Sequence, residues 1–347
     1  MKILLTGGTG LLGQALVPKL KAWAEDVDIL SRTAAGPADR ITCDLRRWDG
    51  GIPATKLKAL RGRYDCMVHL AALYDPRSGM AAAYQNTVMG TQTALTLAAK
   101  LDIPNFVHIS TVAVALGDDY LPAGAPYPPD RLSVDHPFPD SYAYSKAHAE
   151  AMVRKWMSGV ACRTICRLGI VVGDTEGNPP PRLDGPYYAA DGLSRIRNLL
   201  RAAPGPLPMA GHEQARLPLI PVDVATQALD RTIQMRAGQP VPGVFCSHLT
   251  PEQGVPLSEF YRFVLDQLGL ADRQFSFMNS LPHGLQKRLI DLAVGIPKEE
   301  LEYALHLPRF DSTATRALLG EGWCPEFEEY QDAFWKGYQA YVENRGA

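Results

Sequence analysis

Two side chains four residues apart carry the first chemical signal in this sequence. Tyr142 and Lys146, in Tyr142-Ala143-Tyr144-Ser145-Lys146, stand at the spacing that stacks side chains on one face of a helix. A free tyrosine has a pKa of about 10, too high for ready proton exchange near neutrality. A neighbouring ammonium stabilises the phenolate and draws that value down. The pair is therefore a proton donor with its own tuning charge, suited to general acid–base work on a substrate oxygen. Tyr144 and His148 repeat the spacing but fall on the opposite helical face. In a chain with 14 tyrosines such a spacing arises by chance, so its surroundings decide what it means.

The second signal lies at the start of the chain. Thr6-Gly7-Gly8-Thr9-Gly10-Leu11-Leu12-Gly13 follows an apolar strand pattern and begins a helical one. It fits Gly-x-Gly-x-x-Gly from Gly8 and Gly-x-x-Gly-x-x-Gly from Gly7, in the strand–turn–helix context of a dinucleotide site. The glycines permit the tight turn, let backbone approach a pyrophosphate, and let the helix pack closely on the sheet. Free N–H groups at the helix start then meet the phosphate charge. At the end of the next strand a carboxylate selects NAD, whereas a basic residue accommodates the 2′-phosphate of NADP. Asp28 lies mid-strand, too early to reach that ribose; Ser31 and Arg32 hold the edge. A guanidinium suits a phosphate monoester. NADP(H) is the expected cofactor, with NAD(H) as the alternative.

These groups need a scaffold, and the first half of the chain supplies its pattern. Short apolar runs at Lys2–Thr6, Val27–Ser31, Arg40–Cys43, Cys66–Leu70, Asn105–Ser110 and Cys162–Leu168 read as strands. Helical patterns at Leu11–Ala22, Ala81–Lys100 and Tyr142–Met157 alternate with them, which predicts an α/β fold with a doubly wound parallel sheet. Beyond Ala190 the alternation weakens. Leu193–Ala202, Pro221–Arg236 and Pro256–Leu268 read as helices and Val244–Ser247 as a late strand. The expected division is residues 1–175 for the nucleotide-binding domain, with 215–250 returning to it. Residues 176–214 and 251–347 would form a smaller, partly helical substrate lobe. Two irregular segments, Gly117–Asp140 and Gly173–Pro186, are placed to wall the substrate site.

Composition narrows the class. A net charge of −2 provides no field to attract nucleic acid or acidic membranes. The six cysteines form no metal-ligand pattern, so no metal is expected. Cys162 and Cys166 fall on one face of a strand, about 13 Å apart, too far for a disulfide. The chain enters a strand at Lys2 and contains no run of the roughly 20 apolar residues that a bilayer span needs. A cytoplasmic location without a transmembrane segment is the expectation.

Taken in order, these and further motifs resemble the extended short-chain dehydrogenase/reductase family. The resemblance runs from residue 1 to about 250 and implies a Rossmann-type fold. Cys43-Asp44-Leu45 is similar to a Gly-Asp-Leu segment whose aspartate contacts the adenine, with Cys43 in place of glycine. Val68-His69-Leu70-Ala71-Ala72 resembles the His-Leu-Ala-Ala motif that flanks the cofactor. Asn86-Thr87-Val88-Met89-Gly90-Thr91 resembles the helix supporting the catalytic region, and Arg167-Leu168-Gly169 an Arg-Pro-Gly segment. His108-Ile109-Ser110-Thr111 is similar to the strand end that delivers a catalytic Ser or Thr, with Thr111 in that role. The resemblance thus implies Thr111, Tyr142 and Lys146 as catalytic residues. It places the cofactor against Thr6 to Gly13, Ser31, Arg32, Asp44, Leu45, Ala71, Ala72, Asn86, Tyr142, Lys146 and Leu168.

Within that family the middle of the chain resembles thioester reductases and fatty acyl-CoA reductase-like members. Ser110-Thr111-Val112, Gly169-Ile170-Val171-Val172-Gly173-Asp174, Leu183-Asp184-Gly185-Pro186-Tyr187-Tyr188 and Ile220-Pro221-Val222-Asp223 carry this likeness. It implies a reductase of an acyl thioester or its aldehyde, whose partners are an acyl-CoA or an acyl carrier protein. A homodimer is a separate expectation that the resemblance does not carry. A ketone or hydroxysteroid-like reductase, a nucleotide-sugar epimerase, and a dinucleotide-sensing protein without catalysis remain alternatives.

Overall fold

The computed structural model describes residues 1–33, 39–74, 78–118, 125–278, 303 and 308–346. Its centre is a seven-stranded sheet. The strands are β1 (Lys2–Thr6), β2 (Asp26–Ser31), β3 (Arg40–Thr42), β4 (Cys66–His69), β5 (Asn105–Thr111), β6 (Cys162–Leu168) and Gly243–Leu249. Every pairing in it is parallel, and the order across it is Gly243–Leu249, β6, β5, β4, β1, β2, β3. Parallel strands covered by helices on both faces must be apolar throughout. Accordingly Ile3, Leu4 and Leu5 are fully buried, and all of β5 and β6 lies inside.

Because β1 pairs with both β2 and β4, the chain order reverses there, and a crevice opens beyond the carboxyl ends of these strands. Helix α1 (Leu11–Lys21) starts at that crevice. The expected helix over Ala81–Lys100 runs from Met80 to Lys100, with a π-helical turn at Tyr84–Val88 that sequence periodicity does not announce. The helix bearing Tyr142 spans Ser141–Lys155 and begins where the Asp140 side chain accepts from the Ala143 N–H at 2.7 Å.

The lobe has an aromatic core in which Tyr187 stacks on Phe334 at 4.4 Å and Phe260 packs edge-on to Phe334. Its first helix starts earlier than the pattern indicates, at Pro186, with Gly185 at φ +51° as its cap, and breaks before Arg197–Ala202. The segment 308–319 packs against Tyr127 and the strand Gly243–Leu249. Tyr127 N–H donates to Arg309 O at 2.7 Å and Thr315 Oγ1 to His248 O at 2.5 Å. Short stretches without a sustained period do not reveal which core they join. All six cysteines are free thiols. Among the described residues no helix is long and apolar enough to cross a membrane, and no His, Cys, Asp and Glu group could hold a metal ion.

Candidate active site

The glycine turn has the geometry of an anion cradle. Gly7 sits at φ +75°, and a Cβ on it would lie 2.7 Å from the Ala71 nitrogen. A Cβ on Gly13 would lie 2.3 Å from the Gly7 carbonyl oxygen, so only glycine lets α1 close on the turn. Gly10 differs: only the Gly7 oxygen, at 3.4 Å, comes near, and the residue caps α1 without any side-chain hydrogen bond. Thr9, Gly10 and Leu11 are exposed; the Gly10 N–H donates to Gly7 O at 3.1 Å, and the other N–H groups at the start of α1 fit a pyrophosphate. Gly8 and Leu12 turn inward, toward Leu5 and Ile29 and toward the core respectively. The Thr6 side chain also faces inward. It is fully buried, its hydroxyl bonded to His69 Nδ1 at 2.7 Å and accepting from Ala71 N–H, so it pins the turn to the end of β4.

Beside this cradle the ends of β5 and the Tyr142 helix meet. The Tyr142 hydroxyl lies beside the Thr111 side chain, whose Oγ1 accepts from Ala113 N–H at 3.2 Å. Ser110, the neighbouring candidate, points the other way and donates to Glu150 Oε2 at 2.7 Å. Burial pushes the Tyr142 phenol up, and the Thr111 contact opposes it. The Lys146 ammonium is buried and donates to the Ile109 carbonyl at 2.5 Å. Burial draws Lys146 down to about 8, with Glu150 one turn away opposing that shift. Tyr144 and His148 pack on each other at 4.0 Å with tilted rings on another face, beside Phe138.

A buried charge network fixes this helix from behind. Glu150 is fully buried and accepts from Arg167 Nη2 at 2.7 Å, Arg154 Nε at 2.9 Å and Ser110. Those guanidiniums hold its carboxyl at about 2 against the cost of burial. Arg167 also donates to Arg131 O at 2.6 Å and meets His248 at 3.1 Å. On the other side His69 joins Thr6 to Thr91, and burial together with Lys146 pushes its imidazole down to about 3.

The mouth of the site contains residues that the sequence motifs did not single out. Tyr74 packs edge-on against Tyr142 at 4.8 Å, and Arg182 lies over the Tyr74 ring at 4.6 Å. Arg182 donates to Tyr74 O and to Asp184 Oδ2, both at 3.2 Å. A cleft of about 120 Å³ opens here, lined by Leu11, Val171, Gly173, Arg182, Asp184 and Tyr187. The Gly173–Pro186 segment lines much of this cleft.

The remaining residues expected at the cofactor lie at or just beyond the carboxyl ends of β2, β3, β4 and β6, apart from Asn86. Arg32 is exposed and near enough to Asp44 to lower its carboxyl, while the Ser31 hydroxyl turns onto Thr33. Leu45 is half-buried, packing toward Gly90. Leu168 is buried at the end of β6 opposite Thr111, Ala71 lies against Gly7, and Ala72 is exposed. Asn86 turns its amide back onto Ala82 O at 2.8 Å, within the π-helical turn.

No curated protein matches the chain in sequence. Among solved structures, the terminal R domain of the myxalamid PKS-NRPS biosynthetic pathway superposes with a TM-score of 0.73 at 22% identity, covering 99% of this chain and 91% of that one. The dTDP-glucose 4,6-dehydratase DesIV of Streptomyces venezuelae gives 0.64 at 22% identity, covering 100% and 98%. The UDP-glucose 4-epimerase of Thermus thermophilus gives 0.61 at 19% identity, covering 98% and 99%. At such identities these likenesses show the fold. The male sterility protein family matches residues 37–229, a stretch that starts beyond the glycine turn and includes Thr111, Tyr142 and Lys146. That match spans more than half of the sequence, and the chain belongs to the male sterility protein family, NAD-binding proteins of the extended short-chain dehydrogenase/reductase type.

Proposed function

We propose that this protein is an NADP(H)-dependent reductase of an acyl thioester, CoA-bound or carrier-bound, or of the aldehyde derived from it. The observation that carries this reading is the convergence of the Thr111 and Tyr142 hydroxyls beside the cleft onto which Leu11 of the glycine turn also opens. When bound, the dinucleotide supplies hydride to the carbonyl carbon. Tyr142 acts as general acid and Thr111 as a second donor to the oxygen on which charge builds. Lys146, cationic below about pH 8, holds the nicotinamide ribose and keeps positive charge behind Tyr142. No cysteine nucleophile is required; burial holds the Cys43, Cys66 and Cys246 thiols up at about 12, far from thiolate. Arg32 at the edge of β2 favours the 2′-phosphate, and the similarity to a PKS-NRPS terminal R domain supports the choice of thioester.

The test is a screen of NADPH consumption against acyl-CoAs, aldehydes, ketones and nucleotide sugars, with NADPH and NADH affinities measured by fluorescence titration. Sustained NADPH oxidation with acyl-CoA or aldehyde supports the proposal. Conversion of a nucleotide sugar without net cofactor consumption would replace it with an epimerase.

A further inference from the structure

The crevice contains an apparent contradiction at its adenosine end. Arg32 favours a 2′-phosphate, yet Asp44 lies beside it: Cys43 N–H donates to Ser31 O at 2.8 Å, which sets the residues after Ser31 and Cys43 side by side. An uncompensated carboxylate there would repel a phosphate monoester and favour the free hydroxyl of NAD. Arg46 removes the conflict. Its backbone N–H and Nε donate to Asp44 Oδ1 at 3.1 and 2.9 Å, and its Nη2 donates to Oδ2 at 2.7 Å. This two-pronged pair, helped by Arg32, holds the Asp44 carboxyl down at about 2. Arg46 thus pairs with the carboxylate while Arg32 stands beside it, leaving a local positive charge.

The pair is also reachable. The Arg46 side chain is 40% exposed and that of Asp44 24%, and Nη1 of Arg46 takes no part in the pairing. A 2′-phosphate bears up to two negative charges and three acceptor oxygens, more than one arginine neutralises. We propose that Arg46 is a specificity-determining residue that binds the 2′-phosphate opposite Arg32 while it masks Asp44. This rests on the NADP(H) reading above. Arg46 therefore acts in two separable ways, as a ligand of the phosphate and as a shield against the carboxylate.

The experiment is fluorescence titration of NADPH and NADH, with no substrate present, into wild type, Arg32→Ala, Arg46→Met and the double variant Asp44→Asn/Arg46→Met, with melting temperatures as a folding control. Arg46→Met is expected to weaken NADPH binding about 10- to 100-fold, the scale of a charged hydrogen bond, and to leave NADH binding equal or tighter. Adding Asp44→Asn should restore part of the NADPH affinity, because the uncovered carboxylate is gone. If Arg46→Met binds NADPH like wild type while Arg32→Ala loses it, the inference is overturned and the NADP(H) reading stands. Equal losses for both cofactors, or no rescue by Asp44→Asn, make Arg46 a structural support and also overturn it. A wild type without NADPH preference overturns the underlying reading itself.

Discussion

Replacing Lys146 with Met should make the cofactor-free protein more stable at neutral pH while abolishing its turnover. Burial draws the ammonium from 10.5 to about 8. At about 1.36 kcal/mol per pH unit, holding that charge inside costs the fold about 3 kcal/mol at pH 7. Met fills a similar volume without a charge but forfeits the bond to Ile109 O, worth about 1 kcal/mol. A net gain of about 1–3 kcal/mol is expected, on the scale given by these two opposing contributions. The gain shrinks as pH rises. Between about 8 and 10.5 the folded lysine has lost its proton and the unfolded one keeps it, so wild-type stability rises and the gap narrows. Urea unfolding of both proteins at about pH 7 and about pH 9.5 measures this directly. A variant less stable than wild type at neutral pH, or a gap unchanged at the higher pH, would refute the reasoning.

Tyr142→Phe should lower turnover by about 10²–10⁴-fold with NADPH affinity retained, since it removes the proton donor alone; steady-state rates and titration check both halves. Gly10→Ala should keep stability within about 1 kcal/mol but weaken cofactor binding, because its methyl meets no protein atom closer than 3.4 Å and stands where phosphate approaches. Gly13→Ala should instead lose stability by about 1–3 kcal/mol or more, its methyl pressing the Gly7 carbonyl at 2.3 Å; thermal unfolding separates the two variants. Glu150→Ala should cost about 3–5 kcal/mol in urea unfolding by leaving buried Arg167 uncompensated, and Glu150→Gln less.

The sheet, the glycine turn and the Tyr142 helix were legible because each carries a local signature: continuous apolar runs, glycines in a strand–turn–helix context, and a four-residue spacing. Side-chain direction within those motifs was not. Thr6 lies inside the glycine motif yet faces His69, and Ser110 and Thr111 are adjacent yet serve Glu150 and Tyr142. Nor could spacing reveal the mouth of the site, where Tyr74 meets Arg182 across 108 positions of chain. The lobe was read least well, since aromatic contacts such as Tyr187 with Phe334 leave no period in the sequence. The Arg46–Asp44 pair is only two residues long in sequence, but its meaning depends on Arg32 arriving from another strand.

The central claim is that hydride reaches a thioester carbonyl and that the C–S bond then breaks. Incubating the protein with NADPH and acyl-CoAs of graded chain length, while following NADPH absorbance and free thiol together, tests it most directly. The account predicts one thiol released for each NADPH consumed when aldehyde is the product, and for every two when reduction continues to the alcohol. NADPH oxidation by ketones, with no thiol released from any CoA-bound or carrier-bound thioester, would contradict it.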